Sequence, residues 1–424
     1  MNRTFVVIGG IVVVVIVIIA VVGILGVGRV PPPPSAGTVE VWGIEDADVV
    51  WQDMINRFQA AHPNITVTYQ RFDAAGYENL LVNRLAEGKG PDVFFLPHTW
   101  VTKHHDKLFP LPSAAANFSV SDFKNTFVDA AADDLISDTG EILGMPLYMD
   151  TLTLFYNKDI FNAAGIAVPP KTWDEVAMVS HALTRVRPGG DIQQSGIALG
   201  TGRNTEHSFE IVSALMLQKN AITRSSGTSA VTFDAGAADA MALYTSFSDP
   251  TKSTFSWSGT LPNSFDAFAQ GQAAMTVGFS RDALRIRDRN PHLNFTVAPL
   301  PQIAGTSRAA DWGEYFFPAV SKASQDKGAA WSFVLFAASR DGVKPYLDAT
   351  HRPSARRDLV GAGTTSEDLA PFWSQSLIAR SWPVPDDMPA RRVFNDAIDS
   401  VTSRTSSPND AITRLESQLR LLAP

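Results

Sequence analysis

Thr38-Val39-Glu40-Val41-Trp42, Ile65-Thr66-Val67-Thr68-Tyr69 and Pro91-Asp92-Val93-Phe94-Phe95-Leu96 are short runs rich in β-branched and aromatic residues, and what separates them decides the fold. Between the first two runs, residues 48–61 place Val50, Met54, Ile55 and Phe58 near helical spacing and stop before Pro63. Between the second and third, the pattern predicts a helix from about Tyr77 to Glu87, closed by Gly88. Strand, helix, strand, helix, strand is the pattern of a parallel α/β sheet, since parallel strands need a crossover and a helix supplies it. Ligands of open parallel sheets bind where loops leave the carboxyl ends of the strands. Here those loops are 43–48, 71–77 and 97–102, with Trp42 and Glu45, Phe72 and Asp73, and His98 and Trp100 at or beside them.

The bulk of the chain narrows its class. With 424 residues and 45% hydrophobic content it can fill more than one packed domain. Its formal net charge is -8 and its basic runs are as short as Arg356-Arg357 and Arg391-Arg392, which argues against a nucleic-acid partner. The absence of cysteine removes disulfides, thiolate metal sites, cysteine nucleophiles and a lipid-attachment cysteine together.

Residues 5–27 are apolar without a charge, roughly the length of about 20 residues that a bilayer span needs. Arg3 and Arg29 flank the run, so positive charge gives little orientation signal. A short tail before a long domain favours export of that domain. A cleaved signal segment, with Ser35-Ala36-Gly37 as its cleavage region, is the rival to an uncleaved transmembrane helix; its apolar core would be shorter than this one. The expectation is thus a cell-membrane protein with a membrane anchor or signal segment at 1–29 and its binding domain outside the cytoplasm. A linker follows at 30–37, stiffened by Pro31 to Pro34.

The most specific stretch runs from Gly144-Met145-Pro146-Leu147-Tyr148-Met149-Asp150-Thr151 through Phe155-Tyr156-Asn157-Lys158-Asp159-Ile160-Phe161 and Ala164-Gly165-Ile166 to Pro169-Pro170-Lys171-Thr172-Trp173-Asp174-Glu175. With Leu85-Ala86-Glu87-Gly88, Pro91-Asp92-Val93 and Phe268-Ala269-Gln270-Gly271-Gln272-Ala273-Ala274-Met275, it resembles the family 1 extracellular solute-binding proteins of ABC transporters, the maltose-binding-protein-like group. The resemblance covers about Thr38 to Ser339. Many relatives carry Trp after the Ala-Ala-Met segment, where this chain has Phe279-Ser280.

The resemblance implies a two-lobe, type II-like periplasmic-binding-protein fold of class α/β, with ligand held between lobes joined by three crossover hinge segments. These are expected near 148–152, 298–302 and 347–352. The lobes would be 38–149 plus 300–347, and 150–299 plus 348–424. The implied function is capture of a mono- or oligosaccharide and its delivery to ABC transporter permease subunits, without chemistry or cofactor.

Sugar recognition uses flat aromatic faces against the pyranose C–H face and planar polar groups for its hydroxyls. Trp42, Trp100, Tyr148, Phe279, Trp312 and Tyr315 are the aromatic candidates, and packing inside a lobe is the competing role for each. Trp173, Trp331 and Phe333 lie in helical patterns and read as core. Glu45, Asp46, Asp73 and Asp150 are the candidate carboxylates, with helix capping as their alternative. Asp150 is singled out because the resemblance puts it at a crossover on the cleft floor. His98 and Arg203 complete the set.

His98, His104, His105 and Asp106 match no zinc-site spacing, so no metal site is expected. Gly200-Thr201-Gly202-Arg203 lacks the lysine of a phosphate loop. Neither G-x-S-x-G nor H-E-x-x-H occurs. A non-sugar solute (a polyamine or a phosphorylated polyol), a membrane-tethered glycosidase with paired carboxylates, and a sensor remain the other readings.

Overall fold

The computed structural model describes residues 37–112, 118–224, 231–361 and 369–423. The expected N-terminal span and nearly all of the proline linker lie outside them. Among the described residues no helix is long and apolar enough to cross a membrane.

The opening alternation forms as the spacing predicts. Gly37–Ile44 pairs in parallel with Ile65–Phe72 on one side and with Val93–Pro97 on the other. The helix Asp48–Ala61 buries Trp51, Met54, Ile55 and Phe58, a stripe three to four residues apart that faces this sheet. The helix Tyr77–Ala86 follows Gly76, whose φ of +80° is left-handed backbone that costs glycine nothing. Val93 to Leu96 are buried without alternation, as a parallel strand covered on both faces should be. The sheet is completed at its edge by Phe316–Val320, antiparallel to Val93–Pro97, from more than 200 residues later.

A second sheet is built differently. Thr153–Asn157 lies between Met275–Gly278 and Phe295–Pro299 and is antiparallel to both. The helix Trp173–Leu183 packs over this body; Thr172 and Glu175 form a reciprocal capping box at its start, and Trp173 is buried. Trp331 and Phe333 are also buried, on the helix Lys327–Ala337 of the first body.

The buried apolar side chains divide accordingly. One core gathers Val39 to Met149 with Tyr315 to Leu359. The other gathers residues between Leu152 and Leu300 with Trp312 and Trp382 to Leu419, and a smaller cluster of Phe155, Trp257, Phe268, Phe295 and Phe372 accompanies it. Between them lies a small sheet of Ala379–Arg380, Asp311–Glu314 and Asp150–Thr151, with Gly313 opposite Thr151 and Glu314 opposite Asp150.

The first crossing between the cores is at Asp150, between Met149 of one and Leu152 of the other. The second comes later than 298–302, near Trp312, because Gln218 donates its amide to the carbonyls of Pro301 (3.1 Å) and Ala310 (3.2 Å) and holds that loop on the second body. The third comes after 352, because Arg352 is tied to Asp46 of the first body and Leu359 sits in the first core.

Candidate functional site

The loop leaving the first strand sets one wall. Glu45 adopts φ +63° and donates its N–H to the Phe72 carbonyl at 2.8 Å. The Asp46 carboxylate accepts from the Tyr346 hydroxyl at 2.8 Å and from Arg352 Nη1 at 2.9 Å. The Arg352 guanidinium also lies 4.5 Å from the Tyr148 ring centre, within cation–π range.

The opposite wall is built around Asp150, which is buried. It accepts from the Ser280 backbone N–H at 3.1 Å and the Ser280 hydroxyl at 2.6 Å, at the N-terminus of the helix Ser280–Arg289. Burial pushes its carboxyl up to about 6; Ser280 and Arg281 oppose that shift without cancelling it. Arg281 in turn sits 2.5 Å from Glu314, directly across the crossover strands from Asp150. Burial would raise the Glu314 carboxyl, but the charges of Arg281, Arg391 and His207 hold it below the usual range.

Further ion pairs lie on both bodies. Asp282 meets His207 Nε2 at 2.8 Å, and Arg391 bridges Glu210 to Asp387. Lys103 of the first body reaches Glu78 (2.8 Å) on its own side and Asp386 (2.9 Å) on the other. Between the bodies a cavity of about 460 Å³ opens onto Asp46, Val50 and Arg352 from the first, and onto Ser280, Arg281 and Leu284 from the second. Among the described residues, no group of histidines and carboxylates has the arrangement to hold a metal ion.

Of the residues singled out in the sequence, Asp46 lines this cavity, while Tyr148, Asp150 and Phe279 lie buried behind the Arg352, Ser280 and Arg281 that do. Phe279 is fully buried, with Arg281 4.8 Å above its ring. His98, Trp312 and Tyr315 gather elsewhere, in a closed aromatic plug. His98 stacks on Tyr315 at 5.0 Å and lies 5.5 Å from Trp312, and Tyr315 donates to Asp134 at 2.9 Å. Trp312 and Tyr315 are each 0% exposed, which leaves no face open to a ligand in this arrangement.

The remaining candidates are scattered. Trp42 is buried against Phe72 with its indole N–H on Glu40. Trp100 lies edge-on to His104. Glu45 is exposed, and Asp73 is exposed and paired with Arg71. Arg203 is exposed and bonded to Asp399, away from the facing walls.

Sequence reasoning missed Glu210, Glu314, Arg391 and the Lys103 bridge. Arg281 carried a signal, because it lies three residues beyond the strand Met275–Gly278, in the first turn of the helix Ser280–Arg289.

Comparison with known proteins agrees with this architecture. A Brucella abortus protein described as a binding protein is 23% identical over 345 residues, 79% of this chain and 80% of its own length. The cyclic α-maltosyl-1,6-maltose-binding protein of Arthrobacter globiformis superposes with a TM-score of 0.76 at 19% identity, over 91% of this chain and 98% of its own. The sugar-binding protein of Xanthomonas citri gives 0.72 at 22%, over 91% and 97%. At such identities the structural likenesses speak for the fold. The sequence profile of the bacterial extracellular solute-binding proteins matches residues 43–344. An α/β chain of two bodies with charged walls facing across a crossover sheet thus belongs to the bacterial extracellular solute-binding protein family.

Proposed function

We propose that this chain captures a small neutral polyhydroxylated solute, a mono- or oligosaccharide, and presents it to the permease of an ABC importer. The lobes in this reading are 37–149 with 315–361, and 150–314 with 369–423. The family is extracytoplasmic, and the apolar run 5–27 would hold the lobes at the outer face of the membrane.

One observation carries the sugar reading: the facing walls are charged, and their charges are already paired. Arg281, Arg352, Arg391 and Lys103 each lie against at least one of Asp46, Glu78, Glu210, Glu314, Asp386 and Asp387. Paired carboxylates and guanidinium groups offer acceptors and donors to hydroxyls without demanding a counter-charge from the ligand. A phosphorylated polyol would need an arginine freed from its partner, and a polyamine a freed carboxylate, each at a desolvation cost. The two structural relatives above are named for sugars, which supports the same class. The chain acts in this reading by closing on its ligand, without turnover.

The test is a thermal-shift and calorimetric screen of the protein against neutral oligosaccharides, phosphorylated polyols and polyamines. A ligand at 100 times its Kd adds about 2.7 kcal/mol to stability, a shift of a few degrees. A neutral-sugar hit that Asp46→Ala or Arg391→Ala abolishes is the expected result. Hits confined to charged ligands overturn the sugar class, and consumption of the sugar overturns the binding role.

A further inference from the structure

We propose that Lys103 is a latch that holds the two lobes together, by sharing one ammonium between a carboxylate of each. Lys103 stands in the short helix Val101–His104, one 3-10 turn (His98–Trp100) beyond the first-sheet strand Val93–Pro97, and its neighbours Trp100 and Val101 pack on the first core. Glu78 occupies the first turn of Tyr77–Ala86 in the same lobe and is fixed by His104 Nε2 at 2.8 Å. Asp386 immediately precedes the helix Asp387–Thr402, whose Ala390, Phe394, Ala397 and Ile398 belong to the second core. The contact of Lys103 with Asp386 therefore joins two separate hydrophobic bodies.

The sharing is what makes the contact reversible. When an isolated ion pair breaks in a desolvated place, both charges are stranded. Here, on parting from Asp386, the ammonium keeps Glu78, so opening removes one contact and strands no cation. The side chains of Lys103, Glu78 and Asp386 are 33%, 24% and 26% exposed. Water and salt thus reach the bridge, and its contribution is modest and screened.

The inference rests on the two-lobe reading above, and its test needs no ligand, so a failed sugar screen leaves it standing. The chain has no cysteine, so two introduced ones define a unique label pair. Asp53→Cys in the first lobe and Met178→Cys in the second, both exposed, carry spin labels for a pulsed distance measurement on the ligand-free protein. Lys103→Ala and Asp386→Asn should each lower the ratio of short to long distances about two- to fivefold, and Lys103→Arg should restore it. Raising salt to about 1 M should shift the parent the same way and leave Lys103→Ala unmoved. Unfolding curves check that each variant is folded. Distance distributions identical to the parent's in both Lys103→Ala and Asp386→Asn overturn the latch, and Asp386→Asn decides alone should Lys103→Ala fail to fold.

Discussion

Two of the contacts between the lobes are built with opposite charge ratios. Beside the crossover sheet a single carboxylate, Asp129, receives Arg380 at 3.0 Å, Arg308 at 3.5 Å and Arg357, while Asp134 accepts from Tyr315 and Ser381. At the strand ends a single lysine is divided between Glu78 and Asp386. The first place is backed by apolar packing: Trp312 touches His98 of one lobe and Phe209 (5.4 Å) and Trp382 (6.3 Å) of the other. At the second, among the described residues, no pair of aromatic rings joins the lobes. Contacts sealed by aromatic packing belong to the folded state itself, whereas a partly exposed ion pair sets only how often the lobes are together.

That contrast is broken most directly at Trp312. Trp312→Ala should lower unfolding stability by about 3–5 kcal/mol in a denaturant titration, the cost of a large buried aromatic and the cavity it leaves. A loss below about 1 kcal/mol would show that the crossover packing is not the rigid side. Asp129→Ala should cost about 1–2 kcal/mol, because it leaves the largely buried Arg380 facing two other arginines. The partial exposure of Asp129 itself keeps the figure low.

Asp150 sharpens the comparison through pH. Burial raises its carboxyl to about 6, so the folded protein holds that proton more tightly than the unfolded chain does. Its contribution to stability is complete below the ordinary carboxylate pKa and is lost as pH rises through about 6. Asp150→Asn, whose amide oxygen can still accept from Ser280, should flatten the dependence of the unfolding temperature between pH 4 and 7. An unchanged slope would place the titrating group elsewhere. The smallest expected change in global stability is that of Lys103→Ala, under about 1 kcal/mol in the same titration.

What could be read from the sequence was what is local. The three parallel strands, the helix stripe of Met54, Ile55 and Phe58, and the start of Trp173–Leu183 all depend on neighbours a few residues apart; in that stripe Trp51 is buried where Val50 was expected, and Val50 is only partly buried. The antiparallel second sheet was not legible, because Leu154 pairs with Val277 and Ala298 across more than 100 residues without a hairpin. The site divides in the same way. Asp46 and Asp150 stand at loop and crossover positions that local pattern and resemblance both mark. Glu210 and Arg391 meet across 181 positions on two helices, where each alone reads as a solvated helix charge. Trp312 was one of the aromatic candidates, and what sequence could not show is that Phe209 and Trp382 arrive from far along the chain to cover it.

The crossover strands continue almost directly into the two main sheets. Leu152 alone separates Asp150–Thr151 from Thr153–Asn157, and Tyr315 alone separates Asp311–Glu314 from Phe316–Val320. Side chains of a strand alternate faces with a period of two, so adding or removing one residue there would turn every following side chain of the strand inside out. A change of side chain at these joints alters packing locally. A change of length by a single codon would present Leu154 or Phe317 to the wrong face of its sheet, so the joint is strict about chain length, whatever side chains it accepts.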